Sequence, residues 1–315
     1  MKGMWFKMDK KAMINIKQHK RKIQLTSIGL ALLLILALTF TIIGTKYTPT
    51  IELTQLQNNS NSQMMGYFIK CDDKNIVVDG GTKEDSNNLQ QYIKDAGGTV
   101  NAWFITHPHK DHAGAIIDII ENTDIKIEHI YVSLNDIEWY QEYEPQRAEE
   151  AINLKNALEN ERVKNVVTEV ELNQNIEIGK AKCEILGIKN PEITTNAINN
   201  SSMVIKMYLE RKTVLFLGDT GAESSEKLIK TESEKLESDI VQMAHHGQNG
   251  ATEELYKLIK PKICLWPTPE WLWNNDKGEG EDSGNWKTKE TRKWMEELNV
   301  KQNIIEKDGN QTIVI

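Results

Sequence analysis

At 315 residues, 39% hydrophobic and 27% charged with 19 Gly, 7 Pro and 3 Cys, the chain is no collagen, low-complexity disordered chain, disulfide-stapled miniprotein or polytopic membrane protein. The net charge of −8 is uneven: residues 1–46 carry nine Lys/Arg and one acid, Asp9, leaving 38 − 9 = 29 bases against 46 − 1 = 45 acids, a net −16 for the rest. Such an acidic body suits a neutral or cationic substrate, or carboxylates gathered around metal ions, better than a polyanion whose affinity rests on phosphate contacts.

Lys2, Lys7, Lys10, Lys11, Lys17, Lys20, Arg21 and Lys22 precede an uncharged run of 23 residues, 23–45, with Leu30 and Leu32 to Leu36 (LLLIL) at its centre. A helix of that length crosses a hydrocarbon core about 30 Å thick. The positive charges place the tail, 1–22, in the cytoplasm. The expectation is a transmembrane helix, a single-pass anchor in the cell membrane with the body extracytoplasmic. A cleaved secretory signal is the alternative, against which stand the long charged lead and the lack of an Ala-x-Ala site. Cys71, Cys183 and Cys264, odd in number and far apart, read as buried free thiols.

Residues 46–63 read as a linker with a first strand near 51–55, closing in the polar loop QNNSNSQ (57–63); the main domain is expected over 64–315. A second strand is expected at 65–71. Ile76-Val77-Val78 stops at Asp79-Gly80-Gly81, as a buried strand does on entering a tight turn. Helical spacing of Leu89, Tyr92 and Ile93 closes at Gly97-Gly98. The apolar strand 100–105 leads into Thr106-His107, and a helix follows His112 with Ile116, Ile117, Ile119 and Ile120 on its core side. Further strands are expected at 130–132, 166–170, 183–188, 203–209, 213–217, 240–243 and 263–266, and helices at 147–159, 224–236, 253–259 and 287–298. Hairpin-like and helix-separated strands together predict an α/β fold of two sheets flanked by helices.

Directly after a strand, Thr106-His107-Pro108-His109-Lys110-Asp111-His112 sets three imidazoles and a carboxylate within six residues. Imidazole and carboxylate are the ligands of zinc and its first-row neighbours, and a chain turning at a strand end brings alternate residues together. Five of the seven histidines lie in this cluster or in His245-His246, which ends the apolar run 240–244. Asp79 and Asp219 also follow apolar strands directly. One acid at a strand end is as readily a turn residue; four strand ends each presenting a metal-type ligand point to a metal site.

On Asp79-Gly80-Gly81, residues 106–114, the stretch NNSSMV (199–204), Leu217-Gly218-Asp219 and His245-His246-Gly247, the sequence resembles the metallo-β-lactamase-fold hydrolase superfamily. Within it the likeness is to the branch of the soluble domain of the competence DNA-uptake protein ComEC and the phosphorylcholine esterases, over residues 50–315. The resemblance implies an αββα sandwich holding two divalent metal ions, Zn2+ or Mn2+, at the strand ends. Carried over, His107 and His109 would hold the first metal, Asp111, His112 and His245 the second, and Asp219 would bridge them. Asp79 would orient an imidazole from behind. His246 would face the substrate, with the roles of His245 and His246 open to exchange. No histidine stands where many relatives supply a third ligand to the first metal; Asn199, Asn200, Ser201 and Ser202 fill that stretch, which tells against a true β-lactamase and makes Asn199 and Ser202 candidate substrate contacts.

The reaction this implies is hydrolysis of a small phosphodiester by a metal-bound hydroxide, with Asp111, Asp219 and His246 as catalytic groups. Trp266, Trp271, Trp273 and Trp286, half of the chain's eight, fall in 265–286 among five acids. They read as a lid over the sandwich edge, or, through Trp271 and Trp273, as a pocket for a cationic head group such as choline. Two other functions stay open: an extracellular nuclease, disfavoured by the acidic body, and a non-catalytic surface-anchored binding protein, disfavoured by the intact ligand cluster.

Overall fold

A computed structural model describes residues 10–46 and 51–315, with side chains described at 13–15, 17–36 and 51–315. The chain divides into two units, Met1–Pro49 and Thr50–Ile315. In the first, helix α1 (Lys10–Lys46) contains the expected membrane span. Among the described residues, no helix is long and apolar enough to cross a membrane. Of the uncharged run, side chains are described over 23–36, and Lys20, Arg21 and Lys22 stand directly before it. The side chains of the rest of the expected span, 37–45, and the start of the basic tail, 1–9, lie outside those described.

The second unit opens with strands β1 (Ile51–Gln55), β2 (Gly66–Cys71), β3 (Lys74–Asp79), β4 (Thr99–Val100), β5 (Ala102–Phe104), β6 (Lys126–Ile127), β7 (Ile130–Val132) and β8 (Val167–Glu169). It continues with β9 (Asn175–Ile178), β10 (Ala181–Gly187), β11 (Val204–Leu209), β12 (Lys212–Phe216), β13 (Ile240–Gln242), β14 (Ile263–Trp266), β15 (Gln302–Ile305) and β16 (Gln311–Val314). One seven-stranded sheet runs β16-β1-β2-β3-β5-β7-β8 and the other β15-β14-β13-β12-β11-β10-β9. Each changes character at its middle strand. Pairing is antiparallel up to β3 in the first and up to β12 from the β9 edge in the second, and parallel beyond.

Side-chain alternation builds the layers. Ile76 and Val78 of β3 meet Val214 and Phe216 of β12 in the core between the sheets, while Val77 and Leu215 point outward. The helices are α2 (Ser86–Asp95), α3 (Lys110–Asn122), α4 (Ile137–Tyr143), α5 (Ala148–Leu158), α6 (Ala197–Asn200), α7 (Ala222–Glu232), α8 (Glu253–Ile259), α9 (Glu270–Trp273) and α10 (Thr288–Glu297). Leu89, Ile116, Ile119 and Leu154 from α2, α3 and α5 cover Val77 and Trp103; Leu228, Leu255 and Met295 from α7, α8 and α10 cover Leu215 and Val241. Because both faces of the central strands are covered, they read as unbroken apolar runs. The order is helix, sheet, sheet, helix, the αββα arrangement expected.

Two expectations need correction. The domain does not begin at 64: β1 pairs with both β2 and β16, Glu52 lying opposite Val314, so the strand assigned to the 46–63 segment is internal to the first sheet. And α3 begins at Lys110, with His109 as its N-cap residue (φ −57°, ψ 145°), so half of the histidine cluster lies in a helical turn. The three cysteines are buried free thiols.

Candidate metal centre

The site residues stand at the carboxyl ends of the strands where each sheet turns from antiparallel to parallel. Asp79 closes β3, Thr106 and His107 follow β5, Asp219 follows β12, and His245 and His246 follow β13. Crevices at the carboxyl ends of parallel strands are where α/β sheets collect side chains from distant positions. Asp111 and His112 lie in the first turn of α3, where the helix dipole favours the carboxylate. Left-handed backbone marks these turns: Asp79 (φ 54°), Gly218 (φ 55°), His245 (φ 50°) and His246 (φ 56°). Such conformations are uncommon outside glycine and collect at functional sites. At Gly218 an added Cβ would stand 2.9 Å from atoms of Ser202 and Thr106, so the turn that presents Asp219 requires glycine.

Asp79 is fully buried. Its Oδ1 accepts the Thr106 N–H at 2.8 Å, and its Oδ2 accepts the Thr106 hydroxyl at 2.8 Å and lies 2.9 Å from His112 Nδ1. His112 Nε2 is thereby turned inward, 3.2 Å from Asp219 Oδ1. His107 Nδ1 lies 3.3 Å from the Ser202 hydroxyl, which also accepts the Asp219 N–H at 3.0 Å. His107 Nε2 is 3.0 Å from His109 Nδ1 and 3.7 Å from Asp219 Oδ2. Opposite, His246 Nδ1 lies 2.9 Å from the Pro267 carbonyl and Nε2 lies 3.2 Å from Asp111 Oδ2. Two ligand groups result, His107–His112–Asp219 and Asp111–His112–His246, the atoms of each lying within 4.8 Å of one another.

The geometry reverses the expected parts of the histidine pair. His246, buried, joins Asp111 and His112, whereas His245 stands at the mouth, 21% exposed, with Nε2 3.9 Å from Asp219 Oδ2 and 3.4 Å from Asn199 Nδ2. Successive left-handed residues send the two rings in different directions, and the Asn249 carbonyl, 3.2 Å from His245 Nδ1, holds that ring at the rim.

The residues fit metal ions. His109 Nε2, His112 Nε2, His246 Nε2 and Asp219 Oδ1 are buried without an aligned hydrogen-bond partner. Orphaned buried polar atoms are costly, and the lone pairs of imidazole nitrogen and carboxylate oxygen are what a divalent transition metal takes up. Burial holds His109 down at about 4 and, together with the His112 charge, holds His107 well below the usual imidazole range. Burial opposes charge on His112 and His246 too. Asp219 and Asp79 outweigh it for His112, and Asp219 and Asp111 for His246, so both rise. Burial alone would raise the Asp111 and Asp219 carboxyls; the close approach of His246 and the His112 charge outweigh it at Asp111, and the His112 and His246 charges at Asp219, so both are held well below the usual range.

The stretch without a histidine is largely structural. Asn200 Oδ1 accepts from the Gly221 and Ser224 N–H groups and the Ser224 hydroxyl, bracing the loop after Asp219 against the start of α7. Ser201 ties Asn135 to Asn190, and Ser202 is buried with its hydroxyl engaged by His107 and Asp219. Of these four, Asn199 faces the mouth, its Oδ1 without a partner. The tryptophans divide. Trp273 lies under the Arg292 guanidinium at 4.1 Å and packs edge-on against Trp266 at 5.3 Å, so its face already carries the chain's own cation. Trp271 donates to the Asn61 carbonyl at 3.2 Å and meets Trp286 edge-on at 4.9 Å, in keeping with a lid.

Sequence reasoning missed Gln242. Its Oε1 accepts the Leu217 and Gly218 N–H groups, each at 2.7 Å, and its Nε2 donates to the Gly218 and Met243 carbonyls at 3.0 and 2.7 Å. One amide thus fixes the turn before Asp219 to the strand before His245. The signal was an amide inside the apolar run Ile240-Val241-Gln242-Met243.

Fold and ligand set together define the class, an αββα sandwich with a cluster of metal-type ligands at its strand ends. The family profile described as Metallo-beta-lactamase superfamily matches residues 65–263, and the chain belongs to that superfamily. YqgX of Bacillus subtilis (strain 168), described as a probable metallo-hydrolase, is 35% identical over 77 residues, 24% of this chain and 34% of its own, so the match spans about a third of that relative's length. Among solved structures, the metallo-β-lactamase-fold protein YhfI of Bacillus subtilis aligns with a TM-score of 0.51 at 15% identity, over 84% of this chain and 100% of its own. A variant of the CmlA β-hydroxylase of Streptomyces venezuelae aligns with a TM-score of 0.50 at 12% identity, over 85% of this chain and 54% of its own. At these identities the structural likeness is one of fold.

Proposed function

We propose that the chain is a metal-dependent phosphodiesterase acting on a small phosphodiester, anchored to the cell membrane by residues 23–45 with its catalytic body extracytoplasmic. The observation that carries the reading is the set of unpartnered atoms of His109, His112, His246 and Asp219 converging at the strand ends. His107, His109, Asp111, His112, Asp219 and His246 would hold two divalent ions, zinc or manganese, with His245 a further donor at the rim. Bound there, such ions supply Lewis acidity and lower the pKa of water. The chain's own residues set the stage. Asp79 holds His112 as the tautomer with Nε2 free, and Ser202 orients His107 while holding the Asp219 backbone. His245 and Asn199, facing the mouth together, are placed to receive substrate oxygens.

A body at −16 favours a small substrate over DNA. The anchor is supported by the uncharged run behind a basic lead. The test is turnover by the detergent-purified full chain with zinc or manganese on a chromogenic phosphodiester, a phosphorylcholine ester, single-stranded DNA and a cephalosporin. Turnover of the first two is expected, falling about 100-fold or more in Asp219→Ala. Turnover of DNA alone refutes the small-substrate reading, and turnover of cephalosporin alone, or none at full metal occupancy, refutes the phosphodiesterase reading. Deleting residues 1–46 should release the protein from the membrane fraction; a full chain already soluble refutes the anchor.

A further inference from the structure

Beside the metal centre stands a cation that the ligand set does not use. Carboxylates fasten the loop between α4 and α5 to both sides of the mouth. Glu144 Oε2 accepts the Ile198 N–H at 2.8 Å, next to Asn199, and Glu150 Oε2 accepts the Lys110 N–H at 2.9 Å, between the ligand residues His109 and Asp111. Arg147 lies between these acids at the start of α5, its N–H donating to the Glu144 carbonyl at 2.9 Å. Its Nη1 donates to Glu150 Oε1 at 2.7 Å, so a single carboxylate joins the guanidinium to the backbone of the ligand turn. Tyr140, Ala148, Ala151 and Ile198 pack as one buried cluster of α4, α5 and α6, which fixes the loop in place. Burial opposes the guanidinium charge; Glu150, by hydrogen bond and charge, then Asp111 and Glu144 outweigh it and raise the group. The side chain is 43% exposed, and a guanidinium with one nitrogen on Glu150 keeps donors for a second acceptor. The other arginines of the body are engaged or distant. Arg162 donates to the Ile120 and Ile125 carbonyls, Arg292 covers Trp273, and Arg211 lies in the turn before β12, at the end of the sheet away from the ligands.

We propose that Arg147 is a substrate-binding residue, donating from the edge of its guanidinium that Glu150 leaves open to a non-bridging oxygen of an anionic phosphoryl group at the metal centre. The proposal rests on the phosphodiesterase reading and names the residue that recognises the charge of that substrate. A phosphodiester brings a negative charge to a mouth that holds Asp111, Glu144 and Glu150. A guanidinium set among these acids offsets the repulsion and matches phosphoryl oxygens in shape. Glu150 and Glu144 act through Arg147 and are positioning residues. Their bonds to the Lys110 and Ile198 N–H groups hold the guanidinium at a fixed distance from His109, Asp111 and Asn199. A neutral ester lacks the charge that Arg147 meets, so the residue separates anionic from neutral substrates.

The test uses the zinc-loaded full chain, with the chromogenic phosphodiester for turnover and inorganic phosphate for binding by calorimetry. Arg147→Ala should raise KM about 10–100-fold with kcat little changed, and weaken phosphate binding by a similar factor, zinc content staying as in wild type. Arg147→Lys, which keeps the charge without the planar fork, should recover part of both. If the alanine variant fails to fold, Arg147→Gln takes its place with the same losses expected. A KM or a phosphate affinity within about twofold of wild type overturns the proposal, and with turnover intact it leaves the phosphodiesterase reading standing. A variant that folds but loses zinc marks Arg147 as structural and overturns it too. A wild type that turns over no phosphodiester refutes that reading instead, and phosphate then decides for Arg147 alone: affinity lost in Arg147→Ala upholds an oxyanion site, affinity kept removes it.

Discussion

At the scale of single residues, the centre is governed by which imidazole nitrogen carries a proton. The Asp79 carboxylate 2.9 Å from His112 Nδ1 keeps Nε2 free for a ligand role. Asp79→Asn keeps the size and loses the charge, so metal affinity should fall about 10–100-fold while the fold survives, as competition with a chromophoric chelator would measure. The acids around His112 and His246 raise both rings and so favour their protonated forms without metal, whereas burial holds His109 down at about 4. Metal must displace those protons. Affinity therefore rises with pH until the raised values are passed, and zinc uptake at pH 7 should release protons, read by calorimetry in buffers of different ionisation enthalpy. Uptake without proton release would show both rings neutral beforehand. The ligand cluster could be read in sequence because His107, His109, Asp111 and His112 are contiguous. The choice between His245 and His246 could not, since it turns on the φ of two adjacent residues. Nor could the masking of Trp273, whose partner Arg292 comes from α10.

At the scale of elements, the turn before Asp219 rests on two devices, Gly218 and the Gln242 amide. Gln242→Leu removes four hydrogen bonds and leaves the Leu217 and Gly218 N–H groups buried without acceptors. The expected loss is about 3 kcal/mol of stability by urea unfolding, with metal affinity reduced as well; a loss below about 1 kcal/mol would mean that water takes the amide's place. The central strands were legible because they are buried on both faces and read as apolar runs. The strands β9, β15 and β16 were not. Each is four residues long, and Gln302-Asn303-Ile304-Ile305 and Gln311-Thr312-Ile313-Val314 become strands through partners, β14 and β1, that local pattern does not reveal.

At the scale of the whole body, the ligand set is shared between the sheets. Asp79, His107, His109, Asp111 and His112 come from the first, Asp219, His245 and His246 from the second. Without metal, buried Asp79 and Asp219 and half-buried Asp111 face histidines of which His112 and His246 are the ones drawn toward charge, and four ligand atoms stay unpartnered. Ions at this rim would join the two sheets as well as satisfy the orphaned atoms, so binding free energy becomes folding free energy. Stripping metal with a chelator should lower the Tm of the body by about 5 °C or more. The same treatment of Asp219→Ala should change little, because the carboxylate common to both sides is gone and the wild-type metal contribution is already lost. Scanning calorimetry with and without chelator measures both differences. Equal melting of stripped and loaded wild type would show that the apolar core between the sheets holds them without help from the rim.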